Sequence, residues 1–291
     1  MKALILAGGF GTRLRPLTNT RPKHLLPIAN VPHIEHVLEL LRSHGIDEVV
    51  LLTSYLAEAF AEVATAARSA GMAVEVTHEP EPLGTAGALK NAQALLSDGT
   101  FLAFNGDILT NVDLGEVLEF HRERRAEATI VLTPVEDPSA FGVVPTEPDG
   151  RVTGFIEKPA LEDAPTNLIN AGIYVMEPSI LDRIPAGVNW SAERSLFPGL
   201  VEEGARLFAL GTDAYWMDIG TPQKYLQANL DALAGGYKSA LGGATEGDHV
   251  ITGARVTHEG ARVSWACLGP GVIIENGASV ERSVLLPDVV V

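Results

Sequence analysis

The chain has 291 residues, of which 46% are hydrophobic, and a formal net charge of −16. This composition is typical of a globular protein, and the acidic balance argues against a protein that binds nucleic acid through its phosphates. No apolar run reaches the ~20 residues of a membrane span, and no signal-peptide pattern stands at the start. A single cysteine, Cys267, fits a reducing compartment. We therefore expect a cytoplasmic protein that binds neither membranes nor nucleic acid.

The first half of the chain alternates apolar runs with segments of helical spacing. The predicted elements are, in chain order, a strand over 1–7, a helix over 34–44, a strand over 48–53, a helix over 56–70, a strand over 74–77, a helix over 87–96, a strand over 101–104, a helix over 114–125 and a strand over 129–133. This alternation predicts a Rossmann-like α/β fold with a mixed, mostly parallel sheet. Ligands of such sheets bind beyond the carboxyl ends of the strands, where residues 8–15 and 105–107 lie.

The end of the chain has a different pattern. From Asp248 onward, helical spacing stops and short apolar positions recur between glycine turns, which predicts a β-solenoid. Residues 235–247 are mostly small and are predicted to be a linker. We therefore expect two domains, 1–236 and 248–291. The last residues are apolar where a solenoid normally has a polar cap, which indicates either a truncated solenoid or a partner that covers its end.

Residues 8–16, GGFGTRLRP, directly follow the first predicted strand. Glycine lets the backbone turn sharply and lets a ligand approach the main chain. The stretch matches neither the G-x-x-x-x-G-K-[ST] loop nor the G-x-G-x-x-G fingerprint, so a plain turn is one interpretation. A phosphate-binding loop is the other, because an acidic protein that handles phosphates must concentrate its cations. Such a concentration is formed here by Arg13, Arg15, Arg21 and Lys23.

Seven short segments stand in a characteristic order. They are LAGGFGTRLRPLT from residue 6 with Lys23, EPLGTAG from 81, NGD from 105, FGV from 141, FIEKP from 155, NAGIY from 170 and WMDIGTP from 216. As a set they resemble the sugar-1-phosphate nucleotidyltransferases over residues 1 to about 230. The resemblance implies that family's α/β catalytic domain at 1–236 and a partial left-handed, hexapeptide-like β-helix at 248–291. It also implies the transfer of a nucleotidyl group from a nucleoside triphosphate to a sugar 1-phosphate, with release of pyrophosphate.

The resemblance assigns roles to the first segment. Arg13 would stabilise the transition state and the pyrophosphate, and Lys23 would hold the phosphates of both substrates. The other residues expected to contact the nucleotide there are Leu6, Ala7, Gly8, Gly9, Gly11 and Thr12. The chemistry agrees, because this reaction depends on positioning and on neutralising negative charge. Solvated surface cations are the alternative. His24 stands where many members have proline or glutamine, and we expect it to be a bystander.

Two aspartates are implied to bind a metal ion. In the family, the residues at the positions of Asp107 and Asp218 bind the ion that bridges the two substrates, which makes Mg²⁺ the expected cofactor and Asp107 a catalytic residue. Mg²⁺ prefers hard oxygen ligands, usually one or two carboxylates together with phosphate oxygens. The alternative is that each aspartate caps a turn or a helix.

The sugar-phosphate site is implied by a third group of residues. Lys158 would neutralise the phosphate of the attacking sugar 1-phosphate, and Glu157 would accept hydrogen bonds from sugar hydroxyls. Gly142, Asn170 and Gly172 would complete the pocket. The alternative is an exposed Glu-Lys pair before a proline turn.

The base is expected to be read by Glu79 and the segment that follows it, with Gly84, Thr85 and Gly106 also contacting the nucleotide. The pattern over 81–87 looks like the branch that joins GTP to mannose 1-phosphate. A carboxylate only accepts hydrogen bonds, and guanine presents two adjacent N–H donors, whereas uracil and thymine present one between two carbonyls. In the alternative, Glu79 points to solvent and the main chain reads the base. The other substrate pairs are dTTP or UTP with glucose 1-phosphate, and GTP with a heptose 1-phosphate.

Two alternatives from other classes remain open at this point. One is a non-catalytic subunit that binds a nucleotide sugar and regulates a partner enzyme, and the other is a structural β-helix scaffold. A sensor could have lost its catalytic residues, so the presence of Arg13, Lys23, Asp107 and Asp218 favours an enzyme. The apolar end of the chain predicts a homo-oligomer to which the tail contributes.

Overall fold

The computed structural model describes residues 1–79, 81–238, 240–241 and 245–291, so the predicted linker lies partly outside the described residues. The strands are β1 (Lys2–Ala7), β2 (Pro27–Ile28), β3 (Val31–Pro32), β4 (Glu48–Thr53), β5 (Ala73–His78), β6 (Phe101–Asn105), β7 (Ile108–Thr110), β8 (Ala128–Pro134), β9 (Gly142–Val143), β10 (Ile156–Glu157), β11 (Leu168–Met176), β12 (Leu207–Gly211), β13 (Trp216–Asp218), β14 (Val250–Thr252), β15 (Arg262–Leu268) and β16 (Ser279–Leu285). The α-helices are α1 (His33–Ser43), α2 (Ala61–Ser69), α3 (Gly84–Asn91), α4 (Gln93–Leu96), α5 (Leu114–Arg124), α6 (Phe197–Glu202) and α7 (Pro222–Leu233).

The chain forms two compact units. Unit 1 comprises Met1–Gly9, Leu41–Ile108 and Val112–Trp216, and unit 2 comprises Phe10–Leu40, Leu109–Asn111 and Met217–Val291. These units are defined by compactness rather than by continuous sequence, and unit 2 joins an early segment to the end of the chain. The division into domains at 1–236 and 248–291 stays a prediction.

A mixed sheet forms the centre of unit 1, with nine strands in the part of the chain that the structure describes. Four neighbouring strands, in the order β5-β4-β1-β6, run parallel. Beyond β6 the sheet continues with β11, which is antiparallel to both β6 and β8, and β12 runs parallel to β8. The predicted α/β class and the mixed, mostly parallel sheet are confirmed. The antiparallel β11 was not predicted.

The ends of β1 and β6 lie side by side in this sheet. The chain adds β4 and β5 on one side of β1 and then returns to add β6 on the other side. In an open α/β sheet, such a reversal leaves a crevice at the carboxyl ends of the strands. The amide of Gly106, just after β6, donates a hydrogen bond of 3.0 Å to the carbonyl of Leu6 in β1. The glycines after β1 and the segment 106–107 therefore begin at the same edge.

The helix predicted over 87–96 begins earlier and is interrupted. It starts at Gly84 as α3 and breaks at Ala92, and α4 follows. The early start has a tertiary cause, because the Trp190 carbonyl accepts hydrogen bonds from the amides of Ala86 and Gly87 at 2.9 and 3.0 Å. These amides have no partner within the helix, and a distant segment of unit 1 supplies one.

In unit 2, the end of the chain is a short stack of parallel strands. β15 pairs in parallel with β14 and β16, and isolated parallel bridges join Thr257 to Ile273 and Ile273 to Val290. Val250, Val272 and Val280 are buried inside the stack. The β-structure predicted for this segment from its recurring valines is present.

Among the described residues, no helix is both long enough and apolar enough to cross a membrane.

We expect Gly269 to tolerate no larger residue, because a Cβ there would lie 2.8 Å from the nitrogen of Pro287 and 2.9 Å from the carbonyl oxygen of Leu285. Overpacking of this kind costs about 1–3 kcal/mol, so Gly269→Ala should lower the free energy of unfolding by that amount in urea denaturation. Gly199→Ala in α6 is the matched control, since nothing lies within 4 Å of its Cβ position. Equal stability of the two variants would contradict the packing of the stack.

Candidate active site

The part of the glycine loop that belongs to unit 2 folds back on itself. Gly11 has a φ of +61°, a left-handed conformation that favours glycine, and its carbonyl accepts a hydrogen bond of 2.7 Å from Thr18 Oγ1. A Cβ on Gly11 would lie 3.3 Å from the Cβ of Lys23. The loop and the predicted phosphate-binding lysine are therefore in close contact, while Arg13 and Thr12 lie on the exposed turn between them.

Arg13 and Asp218 approach the same point of unit 2. A Cβ on the buried Gly220 would lie 2.9 Å from Arg13 Nη2 and 2.8 Å from Asp218 Oδ1. The absence of a side chain at Gly220 thus leaves room for both charged groups. The structure brings these two predicted residues close to one point, although 204 residues lie between them in the sequence.

Lys224 is a third charged residue at this point, and sequence reasoning missed it. Its Nζ lies 3.1 Å from Asp218 Oδ2. Thr221 caps α7 by accepting a hydrogen bond of 3.3 Å from the Lys224 amide, which places the lysine in the first turn of the helix. The sequence does contain a signal for this residue: Thr221-Pro222 is typical of a helix start, and Lys224 follows in the first turn, six residues after Asp218.

In unit 1, Glu79 lies against the first glycine of the loop. A Cβ on Gly8 would lie 2.9 Å from Ser54 Oγ and 3.6 Å from Glu79 Oε2, and Ser54 Oγ donates a hydrogen bond to the Gly8 carbonyl. Glu79 is only 6% exposed, so the alternative in which it points to solvent is wrong. Burial raises the pKa of the Glu79 carboxyl, and the hydrogen bond of 3.2 Å from the Leu83 amide to Oε1 opposes this shift.

Gly84 and Thr85 each have a structural role. Gly84 has a φ of +71°, and a Cβ there would lie 2.8 Å from the Trp190 carbonyl oxygen. Thr85 Oγ1 donates to Glu193 Oε2 at 2.8 Å and accepts from the Ala192 amide at 2.8 Å. These partners account for both residue types without a ligand, and their contact with a nucleotide stays a prediction.

A β-bulge in β11 positions two predicted sugar-site residues. The pairing of β11 with β8 shifts between Asn170 and Tyr174. Asn170 stabilises the bulge, since its Oδ1 accepts from the Gly172 amide at 3.0 Å and its Nδ2 donates to Tyr174 Oη at 2.8 Å. Gly172 has a φ of +74°, and a Cβ there would lie 2.6 Å from Asn105 Nδ2. The bulge therefore lies directly against the end of β6, where Gly106 and Asp107 follow.

Asn105 is a further candidate site residue. It belongs to the NGD segment of the family motifs, but the sequence analysis did not predict it to contact a ligand. Its Oδ1 is buried and has no hydrogen-bond partner among the residues that the structure describes. A buried acceptor without a partner costs free energy unless a ligand or a water molecule satisfies it. Asn105 Oδ1 is therefore an acceptor that a bound hydroxyl could use.

Glu157 and Lys158 form an ion pair at the end of the short strand β10. Lys158 Nζ lies 3.5 Å from Glu157 Oε1, and the lysine side chain is 56% exposed. On the paired strand β9, a Cβ at Gly142 would lie 2.6 Å from Phe155 Cε1 and 3.2 Å from Glu157 Oε2. Lys158 is exposed, whereas the Glu157 side chain is only 22% exposed, so the pair matches the exposed alternative only in part. Phosphate binding by Lys158 stays a prediction.

The two predicted metal ligands lie in different units. Asp107 is half-buried in unit 1 directly after β6, and Asp218 belongs to unit 2. Within the described ranges, no cluster of three or more His, Cys, Asp or Glu side chains has the arrangement of a metal site.

A separate pocket of about 440 Å³ lies in unit 1, next to Thr100 before β6 and to His121 and Glu177. It is at the amino ends of the parallel strands, and no predicted site residue lines it. His121 Nε2 lies 3.2 Å from Glu177 Oε1, and burial lowers the pKa of the His121 imidazole. This pocket is distinct from the glycine-rich edge described above.

The sheet topology, the glycine segments at its carboxyl edge and the cations of the loop together define a nucleotide-binding α/β protein. Residues 2–235 match the family model described as Nucleotidyl transferase. The chain therefore belongs to the nucleotidyl transferase family, which confirms the resemblance found in the sequence.

Three comparisons place the chain within the family. It is 40% identical over 96% of its length to a mannose-1-phosphate guanylyltransferase of Mycobacterium tuberculosis, of which it covers 75%. It is 42% identical over 98% of its length to mannose-1-phosphate guanylyltransferase 1 of Arabidopsis thaliana, of which it covers 80%. Among solved structures, HddC from Yersinia pseudotuberculosis complexed with GMP-PN matches 78% of this chain and 97% of its own, with a TM-score of 0.67 and 29% identity.

We expect the ionised Glu79 carboxylate to destabilise the fold. A carboxyl group whose pKa is raised on folding contributes stability below its unfolded pKa, and this contribution is lost as the pH rises through the raised value. Glu79→Gln keeps an acceptor for the Leu83 amide and removes the charge. The variant should therefore be more stable than the wild type near pH 7, by a difference that shrinks as the pH falls to about 4.

Urea denaturation over this pH range measures the difference. The matched control is Glu81→Gln, which removes an exposed carboxylate two residues away. A Glu79→Gln difference that does not change with pH would contradict the prediction.

Proposed function

We propose that this protein transfers a guanylyl group from GTP to mannose 1-phosphate, giving GDP-mannose and pyrophosphate. The observation that carries the proposal is the buried carboxylate of Glu79 beside Gly8, at the start of the glycine loop. The two relatives named mannose-1-phosphate guanylyltransferase, at 40% and 42% identity over nearly the whole chain, support the same substrates.

Glu79 would select guanine by its hydrogen-bonding pattern. Its Oε1 is held by the Leu83 amide, so the orientation of the carboxylate is set before a ligand arrives. Two carboxylate oxygens can accept from the adjacent N1–H and N2–H of guanine. A uracil or thymine ring offers one N–H flanked by two carbonyl oxygens, which the carboxylate would repel. The alternatives are dTTP or UTP with glucose 1-phosphate, and GTP with a heptose 1-phosphate.

In the proposed reaction, a phosphate oxygen of the sugar 1-phosphate attacks the α-phosphorus of GTP in line. The bond from this phosphorus to the oxygen bridging to the β-phosphate breaks, and pyrophosphate leaves with the electron pair. The attacking oxygen is already ionised near neutral pH, so no general base is needed. Arg13 and Lys23 would stabilise the charge on the leaving group, and Lys158 that on the sugar phosphate. Glu157, Gly142, Asn170 and Gly172 would bind the sugar.

We propose Mg²⁺ as the cofactor, with the carboxylates of Asp107 and Asp218 as its protein ligands. The donor set fits, because Mg²⁺ usually takes one or two carboxylates and obtains its remaining oxygens from phosphates and water. Asp218 Oδ2 now pairs with Lys224 Nζ at 3.1 Å, and a bound ion would take the place of this partner. When bound, the ion would neutralise phosphate charge.

We also propose that the tail forms a left-handed, hexapeptide-like β-helix, and that it contributes to a homo-oligomer. The parallel strands β14, β15 and β16 support the first point. For the second, Ile273 and Val290 are bridged neighbours and are 44% and 61% exposed, so a second copy could bury them. A cytoplasmic location stays a prediction that rests on the single cysteine, which is buried.

The substrate proposal is tested by pyrophosphate release with Mg²⁺, crossing GTP, dTTP, UTP, ATP and CTP with mannose 1-phosphate and glucose 1-phosphate. We expect turnover confined to GTP with mannose 1-phosphate. Glu79→Gln should reduce kcat/KM for GTP by about tenfold or more, because an amide donor would then face a guanine donor. A wild-type preference for dTTP or UTP would contradict the role of Glu79 while leaving the family assignment intact.

An enzyme and a sensor of nucleotide sugars are separated by Asp107→Asn. In an enzyme this substitution should lower kcat by about a hundredfold or more, while GDP-mannose still binds. The matched control is Asp98→Asn at the opposite edge of the sheet, where the aspartate is 79% exposed and pairs only with Lys2 among the described residues. Absence of turnover in the wild type, with tight binding of GDP-mannose, would favour the sensor.

A further inference from the structure

Asn30 lies at the tip of a short hairpin that directly follows the turn containing Lys23. Strands β2 and β3 are joined by Ala29 and Asn30, which have φ values of +50° and +65°. Two consecutive residues in the left-handed region form the two-residue turn that is typical of tight hairpins. The Leu26 amide donates to the Lys23 carbonyl at 3.1 Å, and the His33 amide donates to the Leu26 carbonyl at 3.0 Å. Hydrogen bonds of the main chain thus join the Lys23 turn to the base of the hairpin.

Helix α7 holds one side of this hairpin. Tyr225 Oη donates to the Pro27 carbonyl at 2.8 Å, and Asn229 Oδ1 accepts from the Ala29 amide at 2.9 Å. Tyr225 and Asn229 are four residues apart and therefore lie on the same face of the helix. Asn229 is fully buried, so these contacts are shielded from competing water.

The tail holds the tip of the hairpin through Asn30. Its Nδ2 donates to the Leu268 carbonyl at the end of β15 at 2.8 Å, and lies 3.4 Å from the Ile251 carbonyl in β14. Beside it, Ala29 is 3% exposed and packs in one apolar cluster with Ile251 and Cys267 of the tail. A single side-chain amide thus binds two neighbouring coils of the stack.

We propose that Asn30 is a positioning residue, which couples the tail of the chain to the binding of nucleotide phosphates through Lys23. This rests on the proposed function in one respect, that Lys23 contacts the phosphates. Between Phe10 and Pro32 the chain has only short 3-10 turns and the two-residue strands β2 and β3, so its geometry depends on what holds it from outside. The amide of Asn30 keeps the hairpin in place, and Lys23 is thereby oriented before the nucleotide binds.

The test is the affinity of the full chain for GTP, measured by calorimetry for Asn30→Gly. Glycine accepts the left-handed backbone of this position and removes the side-chain amide together with its Cβ. We expect the Kd for GTP to rise about fivefold, as for the loss of one hydrogen bond. The matched control is Arg282→Gly, at an exposed left-handed position of β16 with φ +45°, which should leave the Kd unchanged.

A second variant keeps the proposal testable if Asn30→Gly does not fold. Tyr225→Phe removes only the hydroxyl that binds the Pro27 carbonyl, and it should also raise the Kd for GTP. Hydrogen exchange shows where the loss acts: residues 19–26 should exchange faster in both variants. Reduced stability with unchanged GTP affinity and unchanged exchange over 19–26 would overturn the proposal.

A double-mutant cycle identifies the route of the coupling. If Asn30 acts through Lys23, Asn30→Gly should have no further effect on GTP affinity in a Lys23→Gln background. An equal loss in both backgrounds would overturn the proposal. If the wild type binds a different triphosphate, the cycle is run with that one, so that failure of the guanine assignment is distinguished from failure of the positioning role. Absence of binding to every triphosphate would overturn both.

Discussion

The pairing of β1 with β4 on one side and β6 on the other is the constraint on which the arrangement of unit 1 depends. Because the chain reverses its order of strand addition at β1, the segments that follow β1 and β6 emerge at the same edge of the sheet. The hydrogen bond from the Gly106 amide to the Leu6 carbonyl joins them at that edge. Glu79, directly after β5, then lies close to Gly8 across the end of β4, the strand between β5 and β1. The Glu79 carboxylate, for which we propose the role of reading the base, and Gly8 are thereby neighbours, although 70 residues lie between them.

Glycine has a second use in this protein, which is to make room for a neighbour. Gly220 leaves space for Arg13 and Asp218, Gly172 for Asn105, and Gly142 for Phe155. Only Gly172 of these three also requires a left-handed backbone. At Gly220 and Gly142, close approach of a neighbouring side chain therefore accounts for the glycine without any requirement of the backbone.

Charge is distributed unevenly in this acidic chain. With a net charge of −16, non-specific attraction of a nucleoside triphosphate by the whole molecule is unfavourable. Local cations must supply the attraction, and in unit 2 Arg13, Lys23 and Lys224 are available. Asp218 Oδ2 pairs with one of these cations, Lys224, at 3.1 Å. The hairpin contacts of Asn30 and Asn229 suggest why the early loop and the end of the chain share one compact unit.

The sequence by itself determined the fold class and most of the individual elements, because apolar periodicity and glycine stops are local signals. The strand over 48–53 is present with the predicted bounds, and the predicted helix over 114–125 differs from α5 by one residue. The motif set was also sufficient to identify the family. By contrast, the early start of α3 depends on the Trp190 carbonyl. The pairing of Lys224 with Asp218 depends on where the first turn of α7 lies. The bulge of β11 is stabilised by a hydrogen bond between Asn170 and Tyr174. Only the tertiary structure decided these features, because each depends on a contact with a group that local periodicity does not bring into view.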